Sequence, residues 1–333
     1  MSRSVAQGVD AIAEVGAKVV RITLSPRYLR DYNMATNCVG GFSLQSASTD
    51  PEIDRALSRS EVDVIVITAY DGTSFGDCET HRFLNPEFFT AEHRAAVVSE
   101  YSDFALYLSR KFRNTHKRFI LSTWEGDNHV YCGAAYQYVE DASFREYCNA
   151  NYSQIYRGVP SPDTALAGLR IWLQARYDGI ADGRRRAQAE GIGGIRVYSA
   201  PEMNSVRILR EHGYPSVLYD VLPHVNFDYV SYSAWESINR SDPVPRLRED
   251  LNRIRDVAGS TAIIIGESGF SRNPADSQVV THVDEVLRAA MAWGVEYVIH
   301  WQLFDQDENW KSGLYDLNGA PTPFEAYFRT LLQ

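Results

Sequence analysis

Two hydrophobic periods alternate along the chain. Residues 5–16 carry Val5, Val9, Ile12 and Ala13 at helical spacing, and KVVRITL, 18–24, follows as a strand. A stretch with Asn37, Gly40 and Gly41 reads as a loop and leads to a short helix over 51–59. DVIVITAYD, 63–71, is a near-continuous β-branched run, the pattern of a parallel strand buried on both faces. Beyond a loop with Gly72, Gly76 and Pro86, the spacing of Val97, Tyr101, Phe104, Leu108 and Phe112 predicts a helix over 91–113. RFILSTWE, 118–125, is the next strand, and a long loop follows to 160. Ser161 and Pro162 have the character of an N-cap and a first-turn proline. They open a helix to 189 with Leu166, Leu169, Leu173, Tyr177 and Ile180 on one side. Strands IRVYS (195–199), DYVSYS (228–233), TAIIIGE (261–267) and YVIHWQ (297–302) then alternate with helices over 244–257 and 278–293. Asn318-Gly319 marks a tight turn, and a helix over 323–331 ends the pattern.

Strand and helix in alternation make a parallel sheet. No GxGxxG opens a helix after a strand and no Walker sequence occurs, so nucleotide-binding versions lose ground. Polar and aromatic residues gather just past the strand ends, as they do at the C-terminal face of a (β/α)8 TIM barrel. The expectation is one α/β barrel domain over residues 1–333, with long loops on that face. Seven strands are legible, and the first of the usual eight is missing or atypical. Residues upstream of the sequence, or a segment near 38–46, are the two ways to fill the gap, since an open edge is costly.

Composition narrows the function. Net charge is −10 with no basic block, which argues against nucleic acid and anionic membrane as partners. No stretch approaches the ~20 apolar residues of a membrane span. The opening MSRSVAQGVD lacks a signal-peptide core, leaving a cytoplasmic protein or a sequence that begins after a removed leader, then secreted or periplasmic. The 20 Tyr, 14 Phe and 6 Trp supply flat faces with polar tips, suited equally to sugar rings and to protein interfaces. Cys38, Cys78, Cys132 and Cys148 form no CxxC, and no HxH or comparable cluster sits at a strand end, so neither a metal nor another cofactor is expected. All four cysteines fall in loops after strands, and Cys38–Cys78 and Cys132–Cys148 are the two pairings that suit their positions.

The chemistry lies where strands end. ILSTWEGDNHVYCG, 120–133, runs from a core strand into Trp124, Glu125, Asp127 and Asn128. TAIIIGE places Glu267 after a run of apolar residues and before Ser-Gly, an unusual setting for a surface charge. The bland reading of Glu125 is a structural salt bridge. Glu202, in SAPEMN, is a rival to it as a proton donor and a candidate for substrate binding, beside Asn204. Tyr70, Asp71, Trp235 and Asp305 sit where a cleft would be lined, whereas His300, inside a strand, reads as a core histidine. The tyrosines between 131 and 156 serve either as packing for the long loop or as stacking platforms for a glycan.

With KVVRITL as the second barrel strand, Glu125 ends the fourth and Glu267 the seventh. This order resembles clan A of the glycoside hydrolases, the retaining (β/α)8 glycosidases. IIIGESGF, 263–270, is similar to their nucleophile segment, and VIHWQLFDQ with GLYDLNGAPTPFEAYF to their eighth strand and closing helix. The resemblance implies Glu267 as nucleophile, Glu125 as acid/base and Trp301 as the floor of a sugar subsite. It also implies Arg21 beside the nucleophile, Tyr232 hydrogen-bonded to it, a carbohydrate substrate and no cofactor. The clan usually has Asn immediately before the acid/base, where this chain has Trp124; the departure leaves three readings, that Asn128 or Asn204 does that work, that the sugar is an unusual one, or that Glu125 is not the acid. The departure keeps a second function open, a glycan-binding barrel without catalysis.

Overall fold

The computed structural model of the chain describes residues 4–32, 34, 40–75, 81–194, 196–239, 241–272, 278–307 and 310–333. The strands are β1 (Val19–Leu24), β2 (Val64–Ala69), β3 (Arg118–Ser122), β4 (Arg196–Ala200), β5 (Glu202–Met203), β6 (Tyr229–Ser233), β7 (Ala262–Ser268) and β8 (Val298–His300). All paired neighbours are parallel, in the orders β1-β2-β3-β4 and β5-β6-β7-β8. β4 and β5 are two halves of one strand, parted by Pro201, which has no N–H to give. The first half pairs with β3 and the second with β6, while Pro201 C=O accepts from Ser231 N–H at 2.9 Å. The seven strands legible in the sequence are therefore the seven that curl around this core.

The curl does not close. Among the described residues no strand pairs with the outer edge of β1 or β8. Lys18 and Leu24 carbonyls bond to β2, so the backbones of Val19, Arg21 and Thr23 face the gap by strand alternation. The Tyr32 hydroxyl accepts from Thr23 N–H at 2.6 Å and covers part of this edge. Of the segment near 38–46 offered above as a filler, residues 40–46 form a turn and the start of a helical turn, and 38–39 lie outside the described residues. The first and last helices, Val5–Val15 and Pro323–Leu332, close the outer layer over the gap instead. Arg329 donates to Glu14 C=O at 2.9 Å, and Gly16, at φ +103°, ends the first helix against Leu332. A cavity of about 870 Å³ beneath them is lined by Val9, Ile12, Val20, Val298 and Leu331, and reaches up to Trp124 and Glu267.

Helix starts follow their sequence signals. Ser4 and Gln7 make a capping box, and Ser161 accepts Thr164 N–H ahead of Pro162. The helices Ala91–Lys111 and Pro162–Ala189 cross at Gly179 and Gly183, where an added Cβ would lie 2.4 Å from the carbonyls of Val98 and Ser102.

The segment after β3 corrects the expectation of a loop. It folds as helices Gly126–Val130, Ala135–Glu140 and Ala142–Ile155. Cys132 and Cys148 are disulfide-bonded across it. The other expected pairing, Cys38–Cys78, lies outside the described residues. Tyr131, Tyr138, Tyr152 and Tyr156 are buried, and three of their hydroxyls donate to the carbonyls of Pro215, Val130 and His129. These four tyrosines pack the segment; Tyr136 and Tyr147 are exposed.

The disulfide closes a loop of sequence separation 16, for which chain entropy gives about 3 kcal/mol. The double substitution Cys132→Ser/Cys148→Ser should therefore lower the unfolding free energy by about 3 kcal/mol. Urea titration followed by circular dichroism measures it, and an unchanged midpoint would refute the expectation.

Candidate active site

Arg21 organises the centre of the site. Its side chain projects inward from β1 and its N–H groups are all engaged. Nε donates to Thr68 Oγ1 at 2.9 Å, and Nη2 to Thr123 C=O at 3.1 Å and to Glu202 Oε1 at 2.9 Å. Nη1 donates to Glu202 Oε2 at 2.8 Å and Gly266 C=O at 3.0 Å, and lies 3.3 Å from Glu267 Oε1. Ser231 Oγ donates to Glu202 Oε2 at 2.6 Å. Glu202 is thus a fully paired counter-ion beneath the site. A carboxylate held by a bidentate guanidinium is poorly placed to deliver a proton, which counts against Glu202 in the donor's place. Gly266 makes the arrangement possible: a Cβ there would sit 2.2 Å from both Glu202 Oε2 and Ser231 Oγ.

Above this base stand two carboxyl groups. Ser233 Oγ lies 2.5 Å from Glu125 Oε1 and 3.4 Å from Glu267 Oε2, so these two oxygens are within about 6 Å of each other. Asn128 Nδ2 also donates to Glu125 Oε2, and Trp235 Nε1 donates to Glu267 Oε2 at 3.3 Å. Both glutamates are about 95% buried. Burial pushes Glu267 up to about 7, against the pull of Arg21. Burial and then the facing Glu267 drive Glu125 well above the ordinary carboxylate range. The proton of the pair therefore belongs on Glu125. Burial thus brings the titration of Glu267 into the neutral range despite the adjacent guanidinium.

The other candidates divide by strand phase. Side chains alternate along a strand, so Ser231 and Ser233 point inward and Tyr232 outward. The Tyr232 hydroxyl donates to Asp250 at 2.9 Å, behind β6, and does not reach Glu267. Trp235, offered above only as a cleft-lining residue, contacts Glu267 directly through its indole N–H. Asp71 is buried away from any cleft, accepting from Trp172 Nε1 at 2.8 Å and Ser74 N–H at 2.6 Å. Asp127 likewise accepts from the N–H groups of Asn204, Ser205 and Val217, and burial pushes it up to about 6. Asn204 donates to Asn128 Oδ1 at 3.0 Å and so touches Glu125 only through Asn128. Arg21, Tyr70, Trp124, Glu267 and Trp301 line one cavity. Asp305 is occupied by Arg272 and Gly313 N–H, and His300 by Ser312 C=O at 2.7 Å. His81, which burial lowers to about 4, and His129 also line the cavity and were not singled out in the sequence. Ser233 and Gly266 were missed too; the inward phase of β6 and the glycine beside a strand-end glutamate were their only signals.

No helix among the described residues is long and apolar enough to cross a membrane, and no cluster of His, Cys, Asp or Glu there is arranged to hold a metal ion.

No protein-family model matches the chain, and no curated protein matches it by sequence. Solved structures do match by shape. A rice beta-glucosidase superposes with a TM-score of 0.63 at 12% identity, over 99% of this chain and 87% of that one. A beta-glucosidase from Thermotoga maritima gives 0.62 at 11% identity, over 98% and 85%. A broad-specificity endoglucanase from Bacteroides salanitronis gives 0.54 at 12% identity, over 99% and 84%. These neighbours are clan A glycoside hydrolases, the clan that the strand-end motifs resemble. At such identities the likeness establishes the fold alone, a TIM barrel, here with its hydrogen-bonded wall open on one side among the described residues.

Gly266→Ala tests the packing of the base. The added methyl would displace Glu202 or Ser231 and break a buried ion pair, so stability should fall by about 3 kcal/mol, as read from chemical denaturation. A neutral result would show that this centre repacks freely.

Proposed function

We propose that this chain is a glycoside hydrolase that cleaves β-linked oligo- or polysaccharides with retention of configuration. The observation that carries the reading is the pair of buried carboxyl groups bridged by Ser233 Oγ, within about 6 Å of each other. Retaining enzymes hold their carboxyl groups roughly 5–5.5 Å apart and inverting ones roughly 6.5–9.5 Å. The shared fold with beta-glucosidases and an endoglucanase supports the substrate class.

The steps follow from the two environments. Glu267, facing the Arg21 guanidinium and the Trp235 N–H, gives up its proton more readily and attacks the anomeric carbon. Glu125, protonated, delivers its proton to the departing glycosidic oxygen. The C–O bond to the leaving group breaks as the bond to Glu267 forms. Glu125, now a carboxylate, then takes a proton from water, whose oxygen displaces Glu267. Trp124 and Trp301 offer the apolar faces on which a pyranose ring can rest.

Reducing-sugar release from a panel of polysaccharides and aryl glycosides, compared across wild type, Glu267→Gln and Glu125→Gln, tests the reading. Glu267→Gln should abolish turnover. Glu125→Gln should cost about 10²–10⁴-fold on poor leaving groups and much less on dinitrophenolate, which needs no proton. Binding without hydrolysis anywhere in the panel would instead establish a glycan-binding barrel without catalysis.

The pH profile has a definite sign. Activity needs Glu267 ionised and Glu125 protonated. The rate should rise as pH passes through about 7, where Glu267 loses its proton, and fall at higher pH as Glu125 loses its own. Log kcat/KM against pH gives both limbs; a rate already at its plateau at pH 5 would contradict the ordering.

A further inference from the structure

A second cluster beside Glu125 takes no direct part in this chemistry. Tyr70, at the end of β2, is buried, and its hydroxyl accepts Trp124 N–H at 3.1 Å. The same hydroxyl lies 2.6 Å from His129 Nε2. The phenol oxygen and Nε2 share one proton in this contact, while the phenol also accepts from Trp124 N–H. Burial holds both groups in the forms this requires, keeping His129 well below its ordinary value and neutral, and Tyr70 above its own and protonated. His129 also donates its backbone N–H to Glu125 C=O at 3.1 Å, and the Trp124 ring meets the His129 ring edge-on at 5.1 Å.

The peptide is thus held on both sides of Glu125: at the preceding N–H by the Tyr70 hydroxyl, which the His129 side chain meets in turn, and at its own carbonyl by the first turn of the helix Gly126–Val130. The grip has a rigid anchor. The Tyr70 ring stacks on Trp172 at 5.5 Å and 12°, and Asp71 fixes the Trp172 indole N–H. A proton donor must be held within hydrogen-bond reach of a particular oxygen, and a side chain near the end of a strand gets that precision from what fixes its backbone.

We infer that Tyr70 and His129 are positioning residues for Glu125, a clamp from β2 that sets its carboxyl between Asn128 and Ser233. The inference rests on the reading of Glu125 as the proton donor, and its test uses a readout that needs no substrate. The charged and titratable groups around the Glu125 carboxyl are Glu267, Glu202 and Arg21, and none of them is touched by the substitutions below.

The full chain, labelled with ¹³C in its Glu and Asp carboxyl groups, is titrated by NMR, with the Glu125 resonance assigned by its loss in Glu125→Gln. In Tyr70→Phe, which keeps the ring stack and removes only the hydroxyl, Glu125 should relax toward solvent. Its titration should move down toward the ordinary carboxylate range by about half a pH unit. Asp127, two residues away and bonded to other N–H groups, should not move. His129→Gln, the second variant, should shift Glu125 in the same direction. An unmoved Glu125 in Tyr70→Phe, or an equal movement of Asp127, overturns the clamp. If the panel assay fails while Glu125 still moves alone, the positioning survives and the catalytic reading falls.

Discussion

The structure depends on one guanidinium. Arg21 reaches across the barrel to groups carried by β2, β5 and β7 and to Thr123, just past the end of β3, and its five N–H donors are spent doing so. A buried cation of this kind is stabilising only when its surroundings answer it completely. Here Glu202 neutralises it, and backbone carbonyls and Thr68 absorb the remaining donors. The result is a polar hub where most barrels of this class place layers of branched apolar side chains. It sets the height and spacing of the strand ends, and so the floor on which Glu125 and Glu267 stand.

The same hub differentiates the two carboxyl groups. Both are buried, and burial alone would protonate both. Glu267 lies against Arg21 and accepts from an indole N–H, while Glu125 accepts from a hydroxyl and an amide, with a carboxylate opposite. The cation's proximity favours loss of the proton from Glu267, and the negative charge so created holds the proton on Glu125. Two glutamates of identical chemistry thus hold their protons differently because of the distance each keeps to one charge.

Much of this was legible along the chain, for a definable reason. Apolar runs that end in a carboxylate, at Glu125 and Glu267, mark where a buried strand meets a cleft, and the seven runs marked the seven strands. What misled was the interior itself. Around Arg21 the inside of the barrel is polar and the apolar side chains of β6 face the helices. The resemblance implied Tyr232 on β6, when the inward residues there are Ser231 and Ser233. Asp71 and Asp127 face inward because a carboxylate just past a strand end also suits buried N–H donors, here the Trp172 indole and Ser74 for Asp71 and three backbone N–H groups for Asp127. The helices of the segment after β3 were hidden because its tyrosines pack against one another and its backbone carbonyls, with no clean helical stripe on a common core.

The open side of the wall is consistent with this economy. No ladder joins β8 to β1, so their relative position rests on other links. Below, the first and last helices are tied through Arg329 and the close approach of Gly16 to Leu332. Above, Arg21 of β1 faces Glu267 of β7, which carries β8 through the bond from Trp301 N–H to Ser268 C=O at 2.6 Å. The ion pair that tunes the candidate nucleophile is thus also the polar link across the gap. A change that weakens it alters Glu267's affinity for its proton and loosens the seam in one step. Stability and proton affinity are coupled at this pair, because the Arg21 guanidinium, through Glu267 and Gly266 C=O, links β1 to β7 where no ladder among the described residues does.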